Sequence, residues 1–225
     1  LYKGSTNDIN IDFIFSTNLT ISNSQNLNKF NPDFFDYIII DETHRAGAST
    51  YQKIINYFSP KFLLGMTASP ERTDGFDIFK LFDHNIAYEI RLQKAMEEEL
   101  VVPFHYFGIT DLNINGEIID EKSDFNKLIC DERVERILDI SDKYGCDDNI
   151  IRGIVFCSRK DEAYQLANKF NLKGRKSITL TGSQSEDERE NAIQKLESDN
   201  LHEKLEFIFA VDIFNEGIDI PRINQ

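Results

Sequence analysis

The sequence predicts an α/β protein, because short apolar runs alternate with amphipathic segments along most of its length, the pattern left by parallel strands and crossover helices. Two further observations support the class. Several runs are apolar throughout, as in strands covered by helices on both faces. The segments between them carry helical stripes and capping residues.

Strands are expected at residues 12–16, 37–40, 62–66, 104–109, 151–156, 177–181 and 207–211. Tyr51, Ile54, Ile55 and Phe58 fall at i, i+3, i+4 and i+7, and Ala163, Leu166, Ala167 and Phe170 form a second stripe; both read as core-facing helix. Ser158 with Asp161, and Ser185 with Glu188, have capping-box spacing and predict helices that begin just after strands. Residues 135–139 lie in a longer helical stretch that Gly145 ends. Residues 18–31, rich in asparagine and serine, read as a loop. After residue 91 the period changes: a charged helical piece ends in Glu97-Glu98-Glu99, followed by Val101-Val102-Pro103, a strand and a turn at Asn115-Gly116. A lobe boundary is placed near residue 100, giving domains 1–100 and 101–225.

With 225 residues, two domains of about 100 residues each can bury their own cores. No apolar run approaches the roughly 18 residues of a membrane span, and no signal-peptide pattern opens the chain, so a cytoplasmic protein without membrane association is expected. The net charge of −14 counts against a surface that grips phosphates mainly through lysine and arginine. Hydroxyls, backbone N–H groups and helix N-termini remain as phosphate ligands. The three cysteines, Cys130, Cys146 and Cys157, show no C-x-x-C spacing and read as buried free thiols rather than a metal or redox site.

Four apolar residues, Tyr37-Ile38-Ile39-Ile40, run directly into Asp41-Glu42-Thr43-His44. Two adjacent carboxylates therefore sit at the carboxyl end of a buried strand, where α/β sheets bind ligands. Mg²⁺ on a nucleoside triphosphate takes hard oxygen ligands, commonly one carboxylate plus waters, a role that suits Asp41. Glu42 can accept the proton of an attacking water, and His44 can report the state of the site to its neighbours. About two dozen residues on, a second buried strand ends in Thr67-Ala68-Ser69-Pro70, the spacing of one strand-helix-strand crossover. Its hydroxyls can hydrogen-bond to His44 or to water at a γ-phosphate.

Asp41-Glu42-Thr43-His44 and Thr67-Ala68-Ser69-Pro70 resemble motifs II and III of superfamily 2 helicases. The second half agrees: Ile154-Val155-Phe156-Cys157-Ser158-Arg159 resembles motif IV, Leu180-Thr181-Gly182 the short block after it, and residues 212–221 motif V. Residues 62–77, 103–111 and 211–225 are similar to the DEAD/DEAH-type helicases related to the restriction subunit of type III restriction enzymes. The resemblance implies two RecA-like lobes with mostly parallel sheets, both incomplete, and ATP with Mg²⁺ bound between them. It implies that Asp41 holds the metal, that Glu42, His44, Thr67 and Ser69 serve catalysis, and that Gly217 and Asp219 line the nucleotide site. It further implies a nucleic-acid surface carrying Thr17, Thr20, Ser158, Arg159, Thr181 and Gly182, with double-stranded DNA the expected partner and a nuclease or other domains possible alongside.

Three departures qualify it. No G-x-x-x-x-G-K-[ST] loop occurs; Gly174-Arg175-Lys176-Ser177 lacks the first glycine and precedes a strand rather than a helix. Motif VI is also absent, so the expected protein is a fragment of an ATP-dependent helicase or translocase, inactive by itself. Val211 stands where many members carry a threonine that touches nucleic acid. The alternative is an interaction module that keeps the fold without catalysis. A metal-dependent hydrolase built on Asp41, Glu42 and His44 finds no further paired histidine or carboxylate at ligand spacing.

Overall fold

A computed structural model describes residues 2–3, 6–7, 12–71, 75–109, 112–114, 117–119, 127, 129–146, 148–200, 202–214 and 220–225, and the chain divides into two units, Leu1–His105 and Tyr106–Gln225. The first unit opens with a short antiparallel pair, β1 (Tyr2–Lys3) and β2 (Thr6–Asn7). Two short helices follow, α1 (Asn18–Ser22) and α2 (Ser24–Leu27), where the sequence reads as a loop. Thr17 and Asn23 are their N-caps, accepting from the N–H groups of Thr20 and Gln25. Short polar side chains that favour loops also favour caps, and burial of Leu27 and Phe30 decides between the two.

β3 (Tyr37–Ile40), α3 (Ser49–Tyr57) and β4 (Phe62–Gly65) form a strand-helix-strand unit. The two strands pair in parallel, with Tyr37 opposite Phe62 and Ile40 opposite Gly65. Leu27, Phe30, Ile54 and Phe58 make the core, with Ile38 packed against it. Ile54 and Phe58 come from the stripe expected to face inward. β3 is apolar on both faces, yet only one is covered among the described residues: Tyr37 is 70% and Ile39 61% exposed. The unit ends with α4 (Leu92–Glu97).

In the second unit β5 (Leu112–Ile114) and β6 (Glu117–Ile119) pair antiparallel with Ile114 opposite Glu117, flanking the expected Asn115-Gly116 turn, which itself lies outside the described residues. The helix α5 (Asp131–Tyr144) stops at Gly145, whose φ of 62° is one that L side chains rarely adopt. Then β7 (Gly153–Phe156), α6 (Lys160–Leu172), β8 (Ser177–Leu180), α7 (Glu186–Glu197) and β9 (Phe207–Ala210) build a parallel sheet in the order β7-β9-β8. β9 is buried along its whole length. Phe207 and Phe209 meet Val134, Leu138, Leu166 and Phe170 on one face, while Ile208 meets Leu180, Ala192 and Leu196 on the other. Helices on both sides explain why this strand has no polar alternation.

Three expectations are corrected. Residues 12–16 form no strand beyond an isolated bridge at Ser16, and residues 104–109 form none, with Tyr106 87% exposed. An apolar pattern makes a strand only where a neighbour receives its backbone hydrogen bonds; Phe107 instead stacks on Tyr144 with ring centroids 3.8 Å apart. The helix α6 has Arg159 at its N-cap, with no side-chain cap hydrogen bond. Ser158 Oγ donates to Glu162 Oε2 at 3.2 Å, because a buried carboxylate needs donors more than an exposed helix end does. By contrast, Ser185 and Glu188 form the full reciprocal capping box.

Candidate nucleotide and nucleic-acid sites

β3 and β4 run parallel and end side by side, so the residues after each leave the sheet on the same edge. The ladder continues past them: Met66 N–H donates to Ile40 O at 2.9 Å, and Thr43 N–H donates to Met66 O at 2.9 Å. Thr43 is 1% exposed, and its hydroxyl donates to Ile40 O at 2.8 Å. This buried threonine anchors the acidic quartet. Asp41 is exposed on one side of it, and Glu42 adopts a left-handed backbone with φ 50°, which is uncommon outside glycine and costs free energy. The Glu42 N–H donates to Asp41 Oδ1 at 3.0 Å.

His44 joins the two strand ends. Its Nδ1 lies 3.1 Å from Thr67 Oγ1 and 3.2 Å from Glu42 Oε2. The direction of the Thr67 contact follows the imidazole tautomer, and the Glu42 contact is an ion pair when the imidazole is protonated. Thr67 Oγ1 also accepts from Ser69 N–H at 3.2 Å. The structure thus brings Glu42, His44, Thr67 and Ser69 together, with Asp41 one residue away. A cleft of about 510 Å³ runs along β3 and reaches both Asp41 and Thr17. Thr17 and Thr20 face one another, with their hydroxyl oxygens 2.9 Å apart.

In the second unit the carboxyl ends of β7, β9 and β8 share one edge, since Phe156, Ala210 and Leu180 are in register. Ser158, Arg159 and Gly182 are exposed there. Thr181 differs from expectation. It is 0% exposed, and its Oγ1 is within hydrogen-bond distance of Ser183 Oγ at 2.8 Å and Gln184 Oε1 at 3.0 Å; its hydroxyl shapes the loop from within. Val211 is also buried, inside the core beside Val134, which is why an apolar residue suits that position. Gly217 and Asp219 lie outside the described residues. Asp212 and Phe214, just before them, have positive φ of 55° and 65°.

Glu162 escaped the sequence reading. It is 4% exposed, accepts from Arg133 Nη1 at 2.9 Å and from Ser158 Oγ, and holds the β7 to α6 loop from below. The four-residue separation from Ser158 is its only trace in sequence. Beside it, burial first and the Glu162 charge second push the Cys157 thiol up to about 12. All three cysteines are free and partly buried. Gly174 lies in the turn that carries α6 into β8, with φ 84°; Arg175 pairs with Asp142 and Lys176 Nζ donates to His202 O at 3.0 Å. That segment is a helix-to-strand turn, not a phosphate cradle.

The described residues contain no cluster of three or more His, Cys, Asp or Glu that could hold a metal, and no described helix is long and apolar enough to cross a membrane. Residues 1–72 match the family "Type III restriction enzyme, res subunit", and residues 132–225 match "Helicase conserved C-terminal domain". The type I restriction enzyme EcoAI endonuclease subunit of Escherichia coli is 31% identical over 159 residues, covering 60% of this chain and 19% of that protein. A putative mitochondrial ATP-dependent helicase, irc3, of Schizosaccharomyces pombe is 24% identical over 96% of this chain and 36% of its own length. The DNA 3'-5' translocase XPB2 of Sulfurisphaera tokodaii is 21% identical over 83% of this chain and 50% of its own. The chain therefore spans half or less of each of these relatives. Two family matches in helicase order, one on each half of the chain, make it similar to the superfamily 2 helicases and to the subunits of restriction enzymes.

Proposed function

We propose that this chain is part of an ATP-dependent helicase or translocase, in which residues 1–100 and 101–225 contribute to two motor lobes. The observation that carries the reading is the junction of Glu42, His44 and Thr67 at the ends of two adjacent parallel strands, with His44 Nδ1 hydrogen-bonded to Thr67 Oγ1 and 3.2 Å from Glu42 Oε2. Asp41 fits a Mg²⁺ ligand: it is an exposed hard-oxygen donor at a strand end, and the absence of a closed acidic cluster among the described residues suits an ion that keeps waters and phosphate oxygens as most of its ligands. Bound Mg²⁺ neutralises the β- and γ-phosphate oxygens. Glu42 takes the proton of the attacking water with the His44 ring beside it, and the Thr67 hydroxyl sits on the adjacent loop in contact with the same ring. Ser69 carries a second hydroxyl on the same turn.

Nucleic acid lies along the exposed Ser158, Arg159 and Gly182 edge and along Thr17 and Thr20, with Thr181 shaping its loop. Hydroxyl and backbone contacts suit a chain of net charge −14. The DNA-translocase and endonuclease-subunit relatives favour DNA, which we assign as double-stranded, and a nuclease or other domains alongside a motor assigned to the cytoplasm. Gly217 and Asp219 are assigned to the nucleotide.

Residues 1–225 alone are expected to show no appreciable ATPase with or without nucleic acid. No phosphate-loop lysine or arginine finger is in the sequence, and a finger by itself is worth about 10³- to 10⁵-fold in rate. Turnover is measured on this chain and on the full-length protein, with single- and double-stranded DNA and RNA. Activity confined to the full-length protein supports the reading; a full-length protein with no nucleotide turnover on any nucleic acid overturns it.

A further inference from the structure

The segment after Thr67–Pro70 has no part in the chemistry above, yet it reaches back to the acidic quartet at two glycines. Gly65, the last residue of β4, has no room for a side chain. A methyl group there would lie 2.5 Å from Phe82 Cζ and 2.8 Å from Thr43 Oγ1, far inside the 3.5–4.0 Å at which carbon atoms rest. Gly47, just past the quartet, is covered by the ring of Phe76, whose Cγ and Cδ1 would lie 3.1 Å from such a methyl. Phe82 closes the 3₁₀ turn Phe79–Phe82, and Ile78 before it is 3% exposed. The turn is therefore seated under the strand ends.

We infer that Gly65 and Phe82 are positioning residues that set the height of Thr43 and, through it, of Asp41, Glu42 and His44. The inference rests on the ATP-hydrolysing reading above. Thr43 is held from three sides: its N–H bonds to Met66 O, its hydroxyl bonds to Ile40 O, and Gly65 with the Phe82 ring closes the space beside that hydroxyl. None of Thr43, Gly65 and Phe82 is assigned to the nucleotide above, so their effect is geometric. The His44–Thr67 contact ties the two loops on the outer side, and the Thr43–Gly65–Phe82 contact ties them within. Both loops then move as one body. Close-packed interiors transmit such displacements rather than absorbing them.

A general base must sit within hydrogen-bond reach of its proton, whereas a Mg²⁺ ion takes most of its ligands from waters and phosphate oxygens and only one from the quartet. Displacement of the quartet should therefore lower kcat far more than ATP affinity. In the full-length protein, Gly65→Ala is expected to reduce kcat about 10- to 100-fold, the cost of roughly an ångström of misplacement, with the Kd for ATP changed by less than about threefold. Phe82→Leu, which removes the ring edge, lowers kcat less. The double variant Gly65→Ala/Phe82→Leu recovers about tenfold over Gly65→Ala, because the new methyl occupies the vacated space. If Gly65→Ala does not fold, Thr43→Val carries the test: it keeps the shape and drops the bond to Ile40 O, and kcat should fall with ATP affinity held. An active protein whose kcat ignores these substitutions overturns the inference. So does a Gly65→Ala loss that takes ATP affinity and thermal midpoint down together and is not relieved by Phe82→Leu. A full-length protein without ATPase before any substitution overturns the functional reading instead.

Discussion

His44 Nδ1 lies 3.1 Å from Thr67 Oγ1, so two residues 23 positions apart in sequence join the ends of adjacent parallel strands. Because the same nitrogen also lies 3.2 Å from Glu42 Oε2, the histidine is placed to relay between the expected base and the next loop. His44→Ala and Thr67→Ala should each lower nucleic-acid-stimulated ATPase of the full-length protein, and the double variant should lose little more than the worse single. A coupling of roughly 0.5–3 kcal/mol in the double-mutant cycle is expected for residues in one network. Strict additivity would show that the contact carries no function.

The neighbours Asp41 and Glu42 separate two tasks. Glu42→Gln should lose about 10²- to 10⁴-fold in turnover and retain ATP binding, since Gln keeps the size and hydrogen-bonding capacity but not the basicity. Asp41→Asn removes a charge that supports the metal, so Mg²⁺-dependent binding and turnover should fall together. Nucleotide affinity with and without Mg²⁺, and steady-state turnover, distinguish the two. Near-normal hydrolysis by Glu42→Gln would leave the pair as a polar strand-end loop.

Cys157 gives an alkaline signature. Burial and the Glu162 charge raise its thiol from 9.0 to about 12, so the folded state holds that proton more tightly than the unfolded state does. The stability this provides is complete below about pH 9 and is lost as pH rises through the folded value. Alkylation of Cys157 at pH 8 should be slow until the second unit unfolds, and Cys157→Ala should flatten the loss of stability above pH 9. Rapid labelling of native protein at neutral pH would contradict this.

Two substitutions test the second unit's packing and capping. Phe170 is 0% exposed, with ring centroids 5.2 Å from Phe207 and 4.9 Å from Phe209, so Phe170→Ala should cost about 3–5 kcal/mol. Ser185→Ala removes the hydroxyl that accepts from Glu188 N–H, leaves the Ser185 N–H to Glu188 arm of the capping box in place, and should cost about 1 kcal/mol. Chemical denaturation of residues 1–225, followed by circular dichroism, reads both. Equal effects would mean that α6 is not the helix that closes this core.

The sequence alone determined what depends on local pattern. Tyr37–Ile40, Phe62–Gly65, Ser177–Leu180 and Phe207–Ala210 announce themselves as strands because each lies in a short, mostly apolar run between amphipathic segments, and Ser185 with Glu188 announces a helix start because both partners lie within one turn. The carboxylates of Asp41 and Glu42 and the hydroxyls of Thr67 and Ser69 were legible as strand-end chemistry for the same reason. Contacts between distant positions were decided only by tertiary structure. Residues 104–109 have strand composition but no ladder partner among the described residues. Thr181 has an exposed loop's sequence but turns its hydroxyl inward to Ser183 and Gln184. Glu162 looks like an ordinary surface glutamate of a helix until Arg133, 29 positions earlier, makes its burial affordable. Gly65 lies inside an expected strand, and only the folded chain brings Phe82 and Thr43 close around it. Local propensity is written within a few residues, whereas burial and hydrogen-bond satisfaction depend on what the folded chain brings alongside.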